Sequence, residues 1–180
     1  SEAMFQIHFP EDQEKLFEAQ KRLKFEELFF IQLQLIRKKV LRNIKFKGFV
    51  FKEIGDHFYQ FYEKHLPFEL TNAQKKVLKE IRKDVASGAQ MNRLLQGDVG
   101  SGKTIVALMS MFIAIDNNFQ STLMAPTEIL AFQHYNGLKP FCDLIGVKIS
   151  LLTGSSKIAD RRVIHEQLES GELQIIVGTH

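Results

Sequence analysis

The residue types most suited to chemistry lie in one run of eight, Gly-Asp-Val-Gly-Ser-Gly-Lys-Thr at residues 97–104. The run matches G-x-x-x-x-G-K-[ST] at every fixed position, with an apolar stretch on either side. Glycines let successive backbone N–H groups point at one anion, and the N-terminus of a following helix adds further N–H groups. Lys103 can supply charge to β- and γ-phosphates, and the Thr104 hydroxyl can ligate Mg²⁺. We therefore predict a site for a nucleoside triphosphate and Mg²⁺, with Lys103 and Thr104 as catalytic candidates. The predicted phosphate-binding residues are Gly97, Asp98, Val99, Gly100, Ser101, Gly102, Lys103 and Thr104.

The phosphate pattern by itself does not choose the base of the nucleotide. A guanine-specific switch protein would need an Asn-Lys-x-Asp element, and the sequence has none. Residues 143–146, Asp-Leu-Ile-Gly, have the D-x-x-G form found in such proteins. They end a predicted helix, however, where Gly146 is typical of a C′ cap. We therefore discount them as a guanine-nucleotide motif.

Two interpretations compete for the segment ahead of the loop, residues 66–74. In the first, Thr71 is the N-cap and Gln74 the N3 partner of a capping box that starts a helix. In the second, the Phe68 ring stacks on adenine and the Gln74 amide matches the donor and acceptor of the adenine edge. Both can hold for Thr71. For Gln74 they compete, and periodicity does not decide between them.

An alternation of short apolar stretches with longer helical patterns surrounds these residues. Such an alternation indicates βαβ units and a parallel sheet, whose ligands bind beyond the carboxyl ends of the strands. We predict strands over 93–96, 121–125, 147–152 and 173–177, and helices over 72–86, 102–116, 127–145 and 157–170.

The front of the chain has a different composition. It holds 12 of the 16 phenylalanines, up to Phe68, but only two of the 11 glycines. We predict a long helix over residues 11–45 and a short one over 53–65, with the phenylalanines packed in a core. Seven basic residues and no acid lie between residues 28 and 52, from Arg37 to Lys52. This run is either a solvated helix face or a surface for phosphates.

Composition excludes several classes of protein. The apolar and charged fractions, 44 % and 25 %, are those of a globular chain. No apolar run reaches the roughly 18 residues that a membrane span requires. The single cysteine, Cys142, excludes an internal disulfide and is typical of a reducing compartment. The N-terminus shows no secretory signal pattern.

Four motifs follow one another along the chain: Pro67-Phe68-x-Leu70-Thr71-x-x-Gln74, the loop over 95–104, Met-Ala-Pro-Thr-Glu-Ile-Leu-Ala over 124–131 and Ile-Ile-Val-Gly-Thr-His over 175–180. In their order and spacing, these motifs closely resemble superfamily-two DNA helicases. The resemblance is to bacterial ATP-dependent helicases that remodel stalled forks and branched DNA. Transcription-repair coupling translocases share several motifs and are the alternative. Residues 7–28 resemble the connector between wedge and first motor domain, which favours the fork-remodelling helicases.

This resemblance implies an α/β fold of the P-loop NTPase, RecA-like class, with a parallel sheet flanked by helices and a helical N-terminal segment. It implies ATP with Mg²⁺ as cofactors and an adenine-recognition role for Phe68 and Gln74. It also implies three loops that hold a DNA backbone. Their residues are Pro126, Thr127, Glu128, Thr153, Gly154, Gly178 and Thr179. Local structure offers simpler roles for two of them: Thr127 as a helix N-cap and Thr153-Gly154 as a plain turn.

The resemblance divides the chain into a connector over residues 1–66 and the N-terminal part of a first motor lobe over 67–180. The family's acidic D-E-x-H motif is absent from the sequence, and we expect the chain to be a piece of a longer protein. We expect the piece to bind nucleotide without hydrolysing it or unwinding DNA. The parent would be a monomeric motor of the bacterial cytoplasm and nucleoid, with branched or forked DNA as partner and no membrane. The remaining alternatives are another P-loop enzyme, such as a nucleoside kinase, and an interaction domain with a vestigial loop.

Overall fold

The computed structural model describes residues 2–180, apart from the side chain of Asn43. The chain forms two compact units, one reaching to Lys47 and the other comprising Gly48–His180. Residues 48–66 thus pack with the α/β part of the chain. The functional boundary between residues 66 and 67, which the motifs indicate, stays a prediction.

The first unit consists of two helices, α1 (Glu2–His8) and α2 (Gln13–Lys45). Asp12 caps α2, because its Oδ1 accepts a hydrogen bond from the Lys15 N–H at 2.8 Å. α2 ends at Phe46, whose backbone is extended. The predicted long helix over residues 11–45 is therefore confirmed.

The apolar side chains of α2 are largely exposed. Phe25 is 64 % exposed and Ile44 is 72 % exposed, so the expectation that the front phenylalanines pack in a core is wrong for this helix. The reason is that, within the first unit, only the seven-residue α1 packs against the 33-residue α2.

The second unit begins its helices with α3 (Asp56–Gln60), which continues as a π-helical turn, Phe61–His65. The helix predicted over 53–65 is thus shorter and changes its winding. Its N-terminus is capped from far along the chain, since the Asp116 carboxylate accepts from the N–H groups of Gly55 (2.9 Å), His57 (3.1 Å) and Phe58 (3.2 Å). Phe61 is fully buried, with its ring 5.3 Å from the ring of Phe112.

Four further helices and three strands follow. The helices are α4 (Asn72–Val85), α5 (Lys103–Asp116), α6 (Glu128–Leu144) and α7 (Ile158–Glu169). The strands are β1 (Ser121–Met124), β2 (Ile149–Leu152) and β3 (Ile175–Gly178). Each of these elements lies within a predicted stretch of the same type or within one residue of it.

The three strands form one parallel sheet in the order β1-β3-β2. In the register, Gly178 pairs with Met124 on one side and with Leu152 on the other. α6 packs on β2 and β3, α5 contacts β1, and α7 contacts β2. The residues that follow the three strands therefore meet at one edge of the sheet.

The predicted strand over residues 93–96 is not formed, and this prediction is wrong. A strand exists only where its backbone groups pair with a neighbour, and no strand within residues 2–180 pairs with this segment. The Arg93 guanidinium instead holds the segment to α4, at 2.6 Å from Glu80 and 2.6 Å from Asp84. Leu94 is 86 % exposed.

None of the helices within residues 2–180 is both long enough and apolar enough to cross a membrane.

Candidate nucleotide site and nucleic-acid interface

The phosphate loop turns sharply from a segment without regular secondary structure into α5. Gly100 and Gly102 have φ angles of +80° and +78°, in the left-handed region that glycine adopts without strain. A hydrogen bond of 3.2 Å from the Ser101 N–H to the Asp98 carbonyl closes the turn. α5 begins immediately afterwards at Lys103, as the pattern predicts. The loop therefore presents backbone N–H groups ahead of a helix N-terminus, which fits a polyphosphate.

The Lys103 ammonium lies against the loop itself. Its Nζ donates to the carbonyl oxygens of Gly97 at 2.7 Å and Asp98 at 2.6 Å, and it is 3.4 Å from the Ser101 hydroxyl. These partners are neutral, so a phosphate oxygen can replace them with a stronger, charge-assisted acceptor. Thr104 follows in the first turn of α5 and is half-buried. The position of both side chains fits a triphosphate with its Mg²⁺.

Gln74 forms the predicted capping box. Its N–H donates to the Thr71 hydroxyl at 3.2 Å, and its Oε1 accepts from the Thr71 N–H at 2.8 Å. The remaining atom, Nε2, donates to the Ser101 carbonyl at 2.8 Å, which links the start of α4 to the phosphate loop. This link is a contact that sequence reasoning missed, since 27 residues separate its two ends.

Phe68 lies beside Gly102 of the phosphate loop, next to Gln74. A Cβ added to Gly102 would overlap Nε2 of Gln74 and come within 3.9 Å of the Phe68 ring. The ring is 45 % exposed and lines a surface groove with Tyr62 and Lys75. It is therefore accessible for stacking beside the phosphate loop. The adenine role of Phe68 and Gln74 stays a prediction, because the Gln74 amide already has partners at both ends.

The remaining predicted site residues meet at the carboxyl edge of the sheet. Pro126, Thr127 and Glu128 follow β1, Thr153 and Gly154 follow β2, and Thr179 follows Gly178 at the end of β3. Thr127 is the N-cap of α6, because its hydroxyl accepts from the Leu130 N–H at 3.3 Å. Gly178 has to be glycine, since a Cβ there would overlap the Leu152 carbonyl oxygen.

The loop after β2 is bound by Arg161, which sequence reasoning did not single out, and by Glu128, which it did. The Arg161 guanidinium, on α7, donates through Nη2 to the carbonyls of Thr153 at 2.6 Å and Gly154 at 3.0 Å. Ser155 donates to the Glu128 carboxylate. The signal available in the sequence was only the polar run over residues 153–157 ahead of a helix.

The site residues thus form two groups, one around the phosphate loop and one at the strand ends. Among residues 2–180 we find no hydrogen bond that joins one group to the other. Cys142 belongs to neither group. It is fully buried in α6, and burial raises the pKa of its thiol to about 12, so the thiol stays protonated.

The chain is similar to known proteins in sequence and in structure. The model of the family described as "DEAD/DEAH box helicase" matches residues 71–180. The chain is 45 % identical over 178 residues to an ATP-dependent DNA helicase RecG of Synechocystis, and 44 % identical over 179 residues to one of Streptococcus pneumoniae. Both matches cover 99 % of this chain, but only 21 % and 26 % of the relatives. The chain therefore spans about a fifth to a quarter of their length.

Among solved structures, the chain is similar to the one described as "Structure of RecG bound to three-way DNA junction". The two share 40 % identity with a TM-score of 0.82, over 99 % of this chain and 24 % of that one. The match includes the front segment, and it confirms the predicted RecA-like P-loop class of the fold. The resemblance to superfamily-two DNA helicases, and within them to RecG, is likewise confirmed. The chain thus belongs to the DEAD/DEAH box helicase family, and it resembles RecG over nearly its whole length.

Proposed function

We propose that this chain is the ATP-binding part of an ATP-dependent DNA helicase or translocase that acts on branched DNA and stalled forks. One observation carries the proposal: the phosphate loop is bonded through Gln74 to the segment that bears Phe68. This arrangement offers phosphate, metal and base contacts side by side. The solved structure of RecG on a three-way DNA junction supports the choice of a branched substrate.

The phosphate-loop residues bind and orient the nucleotide in this proposal. When bound, ATP with Mg²⁺ supplies the phosphoryl group whose transfer to water releases free energy. The loop N–H groups from Gly97 to Gly102 hold the phosphates, and Lys103 leaves its two carbonyl partners to neutralise charge on the β- and γ-oxygens. The Thr104 hydroxyl is the group placed to ligate the metal ion.

The strand-end loops hold the DNA backbone in this proposal. Thr127 and Thr179 bring hydroxyls, and Gly154, Gly178 and the buried Thr153 contribute to these loops through their backbone. Hydroxyl and backbone N–H groups bind phosphate without reading sequence, which suits a motor that moves along any DNA. Pro126 and Glu128 shape the first of these loops.

We further propose that residues 1–66 are a connector and that residues 67–180 are part of the first of two motor lobes. The chain alone then binds nucleotide without turning it over, because its sequence lacks the family's acidic D-E-x-H motif. An arginine supplied from another part of the protein would also be missing, and such a group contributes about 10³–10⁵ in rate. The parent would be a monomeric motor in the bacterial cytoplasm, at the nucleoid.

The test compares the intact parent with the 180-residue chain. We expect the parent to hydrolyse ATP faster when forked DNA is added, and the chain to bind a fluorescent ATP analogue without releasing phosphate. GTP that displaces the analogue better than ATP would favour another P-loop enzyme. A parent whose ATP hydrolysis does not respond to any DNA would contradict the proposal.

A further inference from the structure

The loop after β2 is held by a carboxylate from another element. Glu128 is the first residue of α6, and Ser155 lies 27 residues further along the chain. Glu128 Oε1 accepts from the Ser155 N–H at 2.9 Å, and Oε2 accepts from the Ser155 hydroxyl at 2.9 Å. Both carboxylate oxygens are therefore engaged by one residue, which fixes the backbone and the side chain of Ser155 together.

This contact also orders the hydroxyl of Thr153. A carboxylate only accepts, so Ser155 must give its one hydroxyl proton to Glu128. In the 3.0 Å contact between Ser155 Oγ and Thr153 Oγ1, the threonine is then the donor. The hydrogen bonds run in one direction, from Thr153 through Ser155 to the charge on Glu128. Thr153 is only 7 % exposed, so this series of hydrogen bonds is partly shielded from water.

Two further contacts show that the loop is held from both sides. A Cβ added to Gly154 would come within 2.8 Å of Glu128 Oε1, so the close approach of the carboxylate requires glycine there. The Arg161 guanidinium, of opposite charge, donates to carbonyl oxygens of the same loop, to that of Thr153 at 2.6 Å and to that of Ser156 at 3.1 Å. An acid thus holds an N–H group of the loop while a base holds its carbonyls.

We propose that Glu128 is a positioning residue that ties the loop after β2 to the loop after β1, so that both contact one DNA strand as a rigid pair. This rests on the proposed function of the strand-end loops. A direct contact between Glu128 and DNA is disfavoured, because a carboxylate repels phosphate and both oxygens already have donors. Glu128 therefore acts through Ser155 and not on the nucleic acid.

The direction of the change in DNA affinity distinguishes a positioning role of Glu128 from simple electrostatic repulsion of DNA. Removing a negative charge beside DNA should tighten binding if only electrostatics counts. If Glu128 positions the loop, Glu128→Ala weakens binding instead. In the intact parent, we expect the DNA concentration for half-maximal ATPase stimulation to rise about tenfold, as for loss of one charge-assisted hydrogen bond. The turnover at saturating DNA and the KM for ATP stay as in the wild type.

A double-mutant cycle and a conservative variant test the route through Ser155. Ser155→Ala alone should raise the same DNA concentration by about threefold, and adding it to Glu128→Ala should change nothing more. Glu128→Gln should recover most of the affinity, because the amide oxygen still accepts from the Ser155 N–H and the amide nitrogen can donate to its hydroxyl. Glu166→Ala is the charge-matched control, since Glu166 pairs only with Arg162 on the exposed face of α7 among the described contacts.

Amide hydrogen exchange separates failure of this proposal from failure of the proposed function. In free protein, Glu128→Ala should speed exchange at Ser155 whether or not the protein binds DNA. Tighter or unchanged DNA affinity in Glu128→Ala, or additive effects with Ser155→Ala, would overturn the positioning role. Absence of DNA-stimulated hydrolysis in the wild type would overturn the proposed function alone. Should Glu128→Ala prove unstable on thermal unfolding, Glu128→Gln and Ser155→Ala still carry the test.

Discussion

The phosphate loop and the strand-end loops are built in different ways. In the phosphate loop, Lys103 bonds to carbonyls five and six residues before it, and the turn is closed between Ser101 and Asp98. At the strand ends, the bonds join Glu128 to a residue 27 positions away, and β3 inserts between β1 and β2, so that it pairs with β1 across the chain length of β2. A site made of local backbone geometry can be found from the sequence, whereas a site made by strand pairing cannot be assembled without the fold.

The largest effect should come from the local site. We expect Lys103→Ala in the intact parent to lower ATP turnover by about 10³-fold, as for loss of a charge-stabilising donor. Phosphate release at saturating ATP and forked DNA measures it. Lys79→Ala, an exposed lysine on α4, is the control and should behave as the wild type. Full hydrolysis in Lys103→Ala would favour a vestigial loop.

The next effect tests the strand-end site. Gly178→Ala forces a Cβ onto the Leu152 carbonyl, and the paired strands cannot move apart without losing the hydrogen bonds between them. We expect a loss of about 3 kcal/mol in the free energy of unfolding of the chain, from overpacking against backbone. Urea unfolding followed by circular dichroism measures the change.

Gly137→Ala is the matched control for that substitution. Gly137 lies inside α6, and a Cβ added there meets nothing within 4 Å. We expect it to stabilise the chain by about 0.5–1 kcal/mol, because alanine loses less entropy in a helix than glycine. A similar loss in both variants would mean that the sheet edge is no tighter than an open helix surface.

A smaller effect is expected at a contact of the phosphate loop with a residue distant in the chain, the hydrogen bond from Gln74 to the Ser101 carbonyl. Gln74→Ala removes both its half of the capping box and the bond to the Ser101 carbonyl, whereas Thr71→Ala removes only the other half of the box. We expect the KM for ATP to rise about fivefold in Gln74→Ala and less than about twofold in Thr71→Ala. The difference corresponds to the one additional hydrogen bond that Gln74→Ala removes. Equal effects would show that the link to the loop does not influence nucleotide binding.

The smallest effect should be seen at Cys142, on the buried face of α6, the helix that starts at the strand-end site. Because burial raises the thiol pKa to about 12, the native thiolate is scarce near neutral pH, whereas an exposed thiol ionises close to its ordinary value. The neutral thiol favours the folded state below the ordinary thiol pKa, and this contribution is lost as pH rises through about 12. At pH 8 we expect slow labelling by a thiol-reactive disulfide, unchanged by ATP or DNA. Rapid labelling would indicate that α6 opens.

Secondary structure was predictable wherever a local rule decides it. Thr127 caps its helix as predicted, and Gly146 takes the positive φ expected of a C′ residue. Prediction failed where a partner decides the outcome. Residues 93–96 have strand-like composition but no neighbouring strand within the described chain, and the α2 phenylalanines have apolar faces that only α1 meets in their unit.

By itself, the sequence determined the nucleotide chemistry of this protein, because glycines, a lysine and a threonine at fixed spacing shape one continuous loop. It also determined the order of helices and strands, since caps, turns and apolar periods act over a few residues. Only the tertiary structure decided that Gln74 is bonded to the phosphate loop and that Glu128 is bonded to Ser155. Those pairs are distant in the chain, and parallel strand pairing together with helix packing is what brings their atoms within hydrogen-bond distance.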